Sequence, residues 1–450
     1  AYLPDEDNSN QGTLWVNHEY VDSRFVSGYK GEGKKSKAQI DREMYDVGGT
    51  IMRIRKKEAG KGKQGWEVIQ DKEKNYRVNG HTDIPFNWPV PIKGSHSAMG
   101  TLANCSGGIT PWGTILTCEE NYDQFYGERL EDGSLRTNPY DTKWHEEYPN
   151  PPEHYGWVVE VNPKTGKAKK HVALGRCAHE CATVIQLEDK RIVVYTGDDA
   201  NNECLYKFIS SKPGSLDEGT LYVANLTTGI WEPLVHDRPE LKEVFADQTD
   251  LLIHLRKASK LVGGTPLDRP EDIEIDPVNG NVLISLTNNK PAGRYFGAIL
   301  KVEEQGADHS ALKFTSDNYL VGGEETGFAC PDNMAFDPRG NLWFTSDISG
   351  SGLNAPPYTQ FGNNGLYVVP RIGAQAGKVI QVASAPVYAE LTGPWFSPDG
   401  KTLFLSVQHP GEASVDAENP DSHWPDGGDS MPKPSVVTIQ GALLNGLSAI

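Results

Sequence analysis

An internal repeat limits the folds open to this chain more than any other feature of its sequence. Its clearest copies are "RPEDIEIDPVNGNVLISLTNN" from Arg269, "CPDNMAFDPRGNLWFTSDIS" from Cys330 and "GPWFSPDGKTLFLSVQHP" from Gly393. Each copy has a short strand or bulge, a turn with proline and then glycine, and a second strand. Weaker copies are "NCSGGITPWGTILTCEEN" from Asn104, "HECATVIQLEDKRIVVYTGDD" from His179 and, as a strand alone, "GTLWVNHEY" from Gly12.

A second element follows each copy of the first and has the pattern of a hairpin strand. Its six occurrences are "GTIMRI" from Gly49, "GWVVEV" from Gly156, "CLYKFI" from Cys204, "GAILKV" from Gly297, "GLYVVP" from Gly365 and "SVVTIQ" from Ser435. Six copies of one element that alternate strictly with six of another predict a six-bladed β-propeller, in which each blade buries its faces against its neighbours.

The whole chain, residues 1–450, is therefore predicted to be a single all-β domain with long inter-strand excursions. We place the inner strand of each blade near residues 14, 115, 192, 282, 342 and 403. The clearest excursions are the polar, Pro/Gly-rich segments at about 122–155 and 410–434. Because the first and last strands lie near the two ends of the chain, the termini are expected to meet and close the ring.

Charge and composition exclude several classes of partner. The net charge of −18 argues against a nucleic-acid or anionic-membrane surface. We interpret the locally basic segment between Lys30 and Lys74 as the solvated face of a hairpin, with a rim that attracts phosphate as the alternative. The sequence has no apolar run long enough to span a membrane and does not begin with a signal-peptide pattern, so a cleaved signal would already be missing. The sequence leaves open whether a disulfide forms among Cys177, Cys181 and Cys204 or whether these residues are buried free thiols.

Aligning the repeats brings together polar residues that are unremarkable when each is considered alone. Cys105, Glu180, Glu271 and Asp332 share one position ahead of the turn, and equivalent positions of a propeller converge on its axis. A second ring falls at the far ends of the strands: Glu19, Glu120, Asp347 and Gln408, with Asp198-Asp199 and Asn288-Asn289 close by. Carboxylates so near one another repel unless cations neutralise them. Hard oxygen donors suit Ca²⁺ or Fe³⁺, and one thiolate indicates a transition metal.

Several of these residues also have an ordinary structural explanation. Asp276 and Asp337 cap their own turns, Cys105 alone is typical of a buried core cysteine, and His18, His96 and His179 are typical of structural histidines. Arg269 lies two residues before Glu271, so both side chains leave an extended segment on the same face. Its guanidinium could bind an oxyanion such as phosphate or form a salt bridge with Asp268 or Asp272, and the residues alone leave both open.

Together the motifs resemble the PhoX-type bacterial alkaline phosphatases. The resemblance runs from about Leu14 to about Glu412 and rests on "NCSGGITPWGTILTCEEN", "HECATVI", "GDD", "RPEDIEID", "CPDNMAFDPRGNLWFTSD" and "GPWFSPDGKTLFLSVQHPGE". It implies a metal-dependent phosphatase that hydrolyses phosphate monoesters, and in some members diesters. It also implies a cofactor of two Fe³⁺ and three Ca²⁺ ions with a bridging oxo group. We therefore expect small-molecule phosphate esters as substrates, a monomer, and a periplasmic or secreted location.

The resemblance also implies roles for individual residues. Arg269 matches the phosphate-binding arginine and, with Glu271 and Glu180, forms the expected catalytic set. The iron ligands implied are Cys105, Glu120, Glu180 and Glu271. The calcium ligands implied are Asn17, Glu19, Asp198, Asp199, Glu324 and Asp332.

Two other functions remain as alternatives at this stage. One is a calcium-dependent lactonase or organophosphate hydrolase, which needs no iron thiolate, so a Cys105→Ser variant of it would stay active. The other is a non-catalytic binding propeller, which would not hydrolyse p-nitrophenyl phosphate. No serine or threonine occupies a position that matches a nucleophile, so we expect no phosphoserine intermediate.

Overall fold

A computed structural model describes residues 1–6, 8–57, 65–130, 132–136, 142–441 and 444. Within these residues, six antiparallel sheets are arranged as the blades of a β-propeller, which confirms the predicted fold class. Among the same residues, no helix is long and apolar enough to cross a membrane. Part of the predicted excursion at 122–155, namely residues 131 and 137–141, lies outside the described residues.

The strands of blades 1 to 3 occupy the first half of the chain. Blade 1 contains β1 (Tyr2–Asp5), β2 (Asn8–His18), β3 (Gly48–Lys56), β4 (Trp66–Val68) and β5 (Tyr76–Val78), and is followed by the pair β6 (Asp83–Pro85) and β7 (Ser97–Met99). Blade 2 contains β8 (Asn104–Ile109) and β9 (Ile115–Glu119), then, after the pair β10 (Glu128–Arg129) and β11 (Leu135–Arg136), β12 (Val158–Val161) and β13 (Ala168–His171). Blade 3 contains β14 (Thr183–Gln186), β15 (Ile192–Gly197), β17 (Leu205–Ser210), β18 (Gly219–Asn225) and β19 (Ile230–Pro233), while β16 (Asn201–Glu203) pairs with β20 (Leu267–Asp268).

Blades 4 to 6 follow the same plan. Blade 4 contains β21 (Pro270–Ile275), β22 (Val282–Leu286), β23 (Ala298–Glu304) and β24 (Phe314–Val321). Blade 5 contains β25 (Pro331–Phe336), β26 (Leu342–Ser346), β27 (Gly365–Val369) and β28 (Ile380–Ser384), and blade 6 contains β29 (Glu390–Phe396), β30 (Thr402–Gln408) and β31 (Ser435–Gln440). The α-helices are α1 (Ser23–Val26), α2 (Lys37–Asp46), α3 (Asp123–Tyr126), α4 (Pro239–Lys242), α5 (Gln248–Ile253) and α6 (Leu255–Leu261). The 3-10 helices span Trp144–Glu146, Pro152–His154, Val172–Leu174, Lys290–Ala292, Gln305–Ala307 and Thr359–Phe361.

The hydrophobic core lies between the blades. Neighbouring residues of a strand face opposite neighbours, so that Val194 packs toward blade 2 and Val193 toward blade 4. In the next blade, Ile284 likewise packs toward blade 3 and Leu283 toward blade 5. Both faces of these strands are buried, which explains why their sequences are continuous apolar runs. Blade 1 packs against blade 6 through Phe404, so the two ends of the chain close the ring as expected.

The strands predicted near residues 14, 115, 192, 282, 342 and 403 exist, but their assignment to the axis is wrong by one strand. They are β2, β9, β15, β22, β26 and β30, and each is the second strand of its sheet. In blades 2 to 6 the strand before it is innermost, since β8 packs against β14, β21 against β25 and β25 against β29. The second strands have the stronger apolar signal because neighbouring blades cover both of their faces, whereas the innermost strands also carry the polar residues of the axis.

Two features of the loops are not apparent from the repeats. In the excursion after β9, Trp144 and Tyr126 pack on Ile40 of α2, and Glu43 of α2 accepts a hydrogen bond from Trp144 Nε1 (2.9 Å). The second feature is the insertion between β19 and β20, which contains α4, α5 and α6 and packs on blade 3.

Candidate metal centre

A β-bulge at the start of three innermost strands directs one candidate ligand of each strand out of the blade. In blade 2 the pairing shifts between Asn104 and Gly107, so that Cys105 and Ser106 lie opposite one residue of β9. The same shift occurs between Pro270 and Ile273 in blade 4 and between Pro331 and Met334 in blade 5. In each blade the first of the two bulged residues is a candidate ligand: Cys105, Glu271 or Asp332. Bulges of this kind often lie next to active sites, where they change the direction of a side chain.

The backbone before these bulges has an uncommon conformation. Ala103, Arg269 and Cys330 each lie two residues before the candidate ligand of their blade, and their φ angles are +52°, +55° and +50°. Positive φ is rare for residues other than glycine, and such residues cluster at functional sites. Three blades therefore use the same turn to present Cys105, Glu271 and Asp332.

The bulges and the strand ends bring thiol and carboxylate groups into one continuous cluster. Among the described residues, three groups have ligand atoms within 4.8 Å of one another: Glu19, Cys105 and Glu120; Glu120, Asp199 and Glu271; Glu180, Glu271 and Asp332. Glu120 and Glu271 each belong to two groups and so connect all three. The thiol of Cys105 lies 3.1 Å from Glu180 Oε1 and donates to it.

The electrostatics of this cluster require positive charge. Burial raises the pKa of Glu180 well above its ordinary value, and the charges of Glu271 and Asp332 raise it further. Burial also raises the pKa of the Cys105 thiol, as do the carboxylates around it. The second oxygen of Glu180 is buried and accepts no hydrogen bond from any described residue. The donors therefore fit metal ions, which would neutralise the carboxylates and occupy this open acceptor.

Arg269 is the guanidinium that faces the cluster. Its Nε lies 2.9 Å from Asp199 Oδ1, its Nη2 2.8 Å from Glu271 Oε1, and its Nη1 3.6 Å from Asp347 Oδ2. This side chain is 24% exposed, so it stands at the solvent edge of the cluster.

The salt bridge that the sequence left open for Arg269 does not form. Asp268 pairs instead with Arg294, whose Nη2 lies 2.5 Å away. Asp272 accepts a hydrogen bond from the backbone N–H of Met334 (2.7 Å). The guanidinium of Arg269 is therefore directed to the candidate metal ligands.

Two carboxylates among the implied calcium ligands, those of Asp198 and Glu324, lie outside the groups, which comprise only thiol and carboxylate donors. Asp198 is buried, and the guanidinium of Arg256 binds both of its oxygens, at 2.8 and 2.5 Å. Glu324 lies in an exposed turn. The side-chain oxygen of Asn17 accepts hydrogen bonds from Trp15 Nε1 and Thr117 Oγ1, both at 2.7 Å, and its amide donates to the carbonyl of Cys105. Asn17 thus holds the backbone that carries the thiol.

Other polar residues at the centre were not singled out as site residues. Asn333 donates to Glu180 Oε1 (3.0 Å), and Gln408 donates to Glu19 Oε2 (2.8 Å). The carboxylate of Glu390 lies 3.2 Å from His409 Nε2, and its charge raises the pKa of Asp332 after the larger effect of burial. The alignment of strand ends already pointed to Gln408 and Asp347. It could not find Glu390, which precedes the bulge of blade 6, whereas Cys105, Glu271 and Asp332 lie within the bulges of their blades.

Comparisons with known proteins agree with this geometry. A family model described as alkaline phosphatase PhoX matches residues 1–411. The solved structure of Pseudomonas fluorescens PhoX in complex with vanadate, a transition state analogue, has a TM-score of 0.85 and 28% sequence identity over 98% of this chain and 87% of that one. The periplasmic gluconolactonase PpgL of Pseudomonas aeruginosa reaches a TM-score of only 0.35 with 10% identity, over 83% of this chain and 79% of that one. Among curated proteins, none matches the chain.

Proposed function

The chain belongs to the alkaline phosphatase PhoX family, and we propose that its axial cluster is the site at which it hydrolyses phosphate monoesters. As a member of this family it is a metal-dependent phosphoric ester hydrolase that acts on small-molecule phosphate esters. The observation that carries the proposal is the position of Arg269, at the solvent edge of a buried group of metal-binding donors. A guanidinium in that position suits the oxyanion of a phosphoryl group.

Arg269 binds and orients the phosphoryl group. Its Nε and Nη2 contact Asp199 and Glu271, which fix the plane of the guanidinium. Its Nη1 is 3.6 Å from Asp347 Oδ2, beyond hydrogen-bond distance, so the N–H groups of this arm can donate to a phosphoryl oxygen. The Pseudomonas fluorescens protein holds vanadate, a transition state analogue. We propose that the phosphoryl group of the substrate takes the corresponding place here.

Glu180 and Glu271 complete the catalytic set by holding metal next to the bound ester. Bound metal ions neutralise the clustered carboxylates and withdraw electron density from the phosphoryl group. Since Glu271 also contacts Arg269, it links the metal-binding cluster to the phosphoryl-binding guanidinium. We propose that no serine or threonine is phosphorylated during the reaction, and a phosphoserine trapped by rapid quench would contradict this.

We propose that the metals are two Fe³⁺ and three Ca²⁺ ions with a bridging oxo group. Cys105, Glu120, Glu180 and Glu271 would hold iron, with Glu19, Asp199 and Asp332 among the calcium ligands. The combination of one thiol with hard oxygen donors supports this set. Elemental analysis of the purified protein should find iron as well as calcium, and its visible spectrum should contain a thiolate-to-ferric band. Calcium without iron would contradict the proposal.

The role of Arg269 is tested by the kinetics of p-nitrophenyl phosphate hydrolysis. We expect Arg269→Lys to lower kcat/KM by about 100- to 1000-fold, because an ammonium group cannot reproduce the bidentate guanidinium. The matched control is Arg294→Lys, which changes the neighbouring arginine–carboxylate pair on the exposed side of Asp268 and should leave kcat/KM unchanged. An Arg269→Lys enzyme that retains its metals and nearly full kcat/KM would refute the assignment.

We further propose that the protein works as a monomer in the periplasm or outside the cell, where it releases phosphate for uptake. The family resemblance supports an exported enzyme of this kind. Light scattering after size-exclusion chromatography measures the oligomeric state, and fractionation of cells that express the full-length gene measures the location. Hydrolysis of bis(p-nitrophenyl) phosphate, compared with the monoester, measures how far diesters are accepted.

A further inference from the structure

We infer that Arg256, in the helical insertion between blades 3 and 4, is a positioning residue for the metal ligands Asp199 and Glu180. The inference rests on the proposed function, because it takes these two residues as ligands. The insertion would thus help to build the metal centre, although no side chain of the insertion belongs to the three donor groups found among the described residues.

The first step of the argument is the pairing of Arg256 with Asp198. Asp198 is completely buried, and Arg256 binds it with both arms, Nε at 2.8 Å from Oδ2 and Nη2 at 2.5 Å from Oδ1. A carboxylate buried in this way is very costly without a counter-charge. Arg256 therefore supplies the counter-charge for Asp198 and holds both of its oxygens in place directly beside Asp199.

The second step is the use that the chain makes of the Asp198 carboxylate. Its Oδ1 also accepts the backbone N–H of Ala178 (3.1 Å). The N–H of Asp199 donates to the carbonyl of Ala178 (2.9 Å). Residue 178 is thus tied in both directions to the end of β15, and it lies two residues before Glu180.

The geometry therefore connects one arginine to two ligands. Asp199 follows Asp198 directly, and Glu180 follows the segment that Asp198 holds. Groups that orient metal ligands without touching the metal typically change metal affinity by about 10- to 100-fold when they are removed. The same size of effect is expected here.

The insertion also supplies a matched control. Lys260, on the same helix as Arg256, pairs with Glu203 at 2.8 Å. Glu203 lies on β16, beyond Asp199, and belongs to none of the three donor groups found among the described residues. Lys260→Met therefore removes an ion pair of the same helix without removing a contact to Asp198.

The experiment measures metal retention rather than activity. Wild-type, Arg256→Met, Arg256→Lys and Lys260→Met proteins are dialysed against increasing concentrations of a chelator such as EDTA, and bound iron and calcium are determined. We expect Arg256→Met to lose half of its metal at a chelator concentration about 10- to 100-fold lower than wild type. Arg256→Lys keeps the positive charge but cannot contact both oxygens of Asp198 in the same way, so its metal retention should lie between those of Arg256→Met and wild type. Lys260→Met should retain metal as wild type does.

A second variant separates positioning from a general loss of stability. Asp198→Asn in the Arg256→Met background removes the stranded charge but keeps an oxygen acceptor for the Ala178 N–H, so it should recover most of the lost retention. Equal losses in Arg256→Met and Lys260→Met, wild-type retention in Arg256→Met, or no recovery in the double variant would overturn the inference. A wild-type protein that binds no metal would instead refute the proposed function.

Discussion

Removal of the metal ions should make this protein less stable as the pH rises. In the absence of metal, burial raises the pKa of Glu120, Glu180, Glu271, Asp332 and Glu390, and the charges of neighbouring carboxylates raise it further. A carboxyl group whose pKa is higher in the folded than in the unfolded chain stabilises the fold fully at low pH. That stability is lost as the pH rises from the unfolded value, about 4, toward the folded one.

The size of the effect follows from linkage. Each carboxyl group that remains protonated in the folded chain lowers the free energy of unfolding by about 1.4 kcal/mol for every unit by which the pH rises. Between pH 5 and pH 8, one such group costs about 4 kcal/mol and two cost about 8 kcal/mol. Because the whole stability of a folded domain is about 5–15 kcal/mol, two groups that stay protonated up to pH 8 would bring the metal-free protein close to unfolding at that pH.

The assay is urea denaturation of chelated and metal-loaded protein at each pH unit from 5 to 8. The unfolding midpoint of the chelated protein should fall steadily, and that of the loaded protein should change far less, since bound cations keep the carboxylates ionised. Glu390→Gln should make the fall of the chelated protein's midpoint with pH less steep, because it removes one of the buried carboxyl groups whose pKa is raised. A chelated protein whose midpoint stays constant or rises over this range would show that the cluster does not carry protons when empty, and would refute the reasoning.

Two further predictions concern single residues. Cys105→Ser should abolish the thiolate absorption band and lower kcat/KM for p-nitrophenyl phosphate by at least about 100-fold, as expected for a lost ligand; a fully active variant would favour a centre without iron. Lys207→Met should cost about 3–5 kcal/mol in urea denaturation, because it strands the buried Glu304 that lies 2.9 Å from the Lys207 ammonium. Adding Glu304→Gln should recover most of that loss, since the amide oxygen can still accept from Tyr195, and a double variant no more stable than Lys207→Met would contradict this explanation.

The parts of the fold that could be predicted are those that the repeat controls. Each blade must bury both faces of its second strand, so strands such as β15 and β22 are buried at every position, mostly apolar and easy to recognise. The repeat also brings Cys105, Glu180, Glu271 and Asp332 to one level of the axis, and the structure places them in one connected cluster. Sequence alone could find them because equivalent positions of a repeat meet at the axis, so their closeness can be inferred without knowing any contact between distant segments.

The parts that could not be predicted depend on segments outside the repeat. Asp198 has the same residue type and almost the same sequence position as Asp199, but Arg256, from the insertion between β19 and β20, binds it. Glu390 contributes charge to the centre from a position before the bulge of its blade, so an alignment on the turns passes over it. Charges that meet across such separations leave no periodic signal.

The bulge explains why the same short sequence can serve both the fold and the chemistry. A regular strand alternates its side chains between the two neighbouring blades, and none would point along the axis. One extra residue breaks the alternation locally, which lets Glu271 leave the blade while Ile273 returns to the core. The Asp-Pro turn fixes the register of the two strands, and so it also fixes where the bulge falls. A change in turn length would therefore move the candidate ligand before it disturbed the blade, and this coupling ties the ligand position to the turn in blades 4 and 5, which have both an Asp-Pro turn and a bulge.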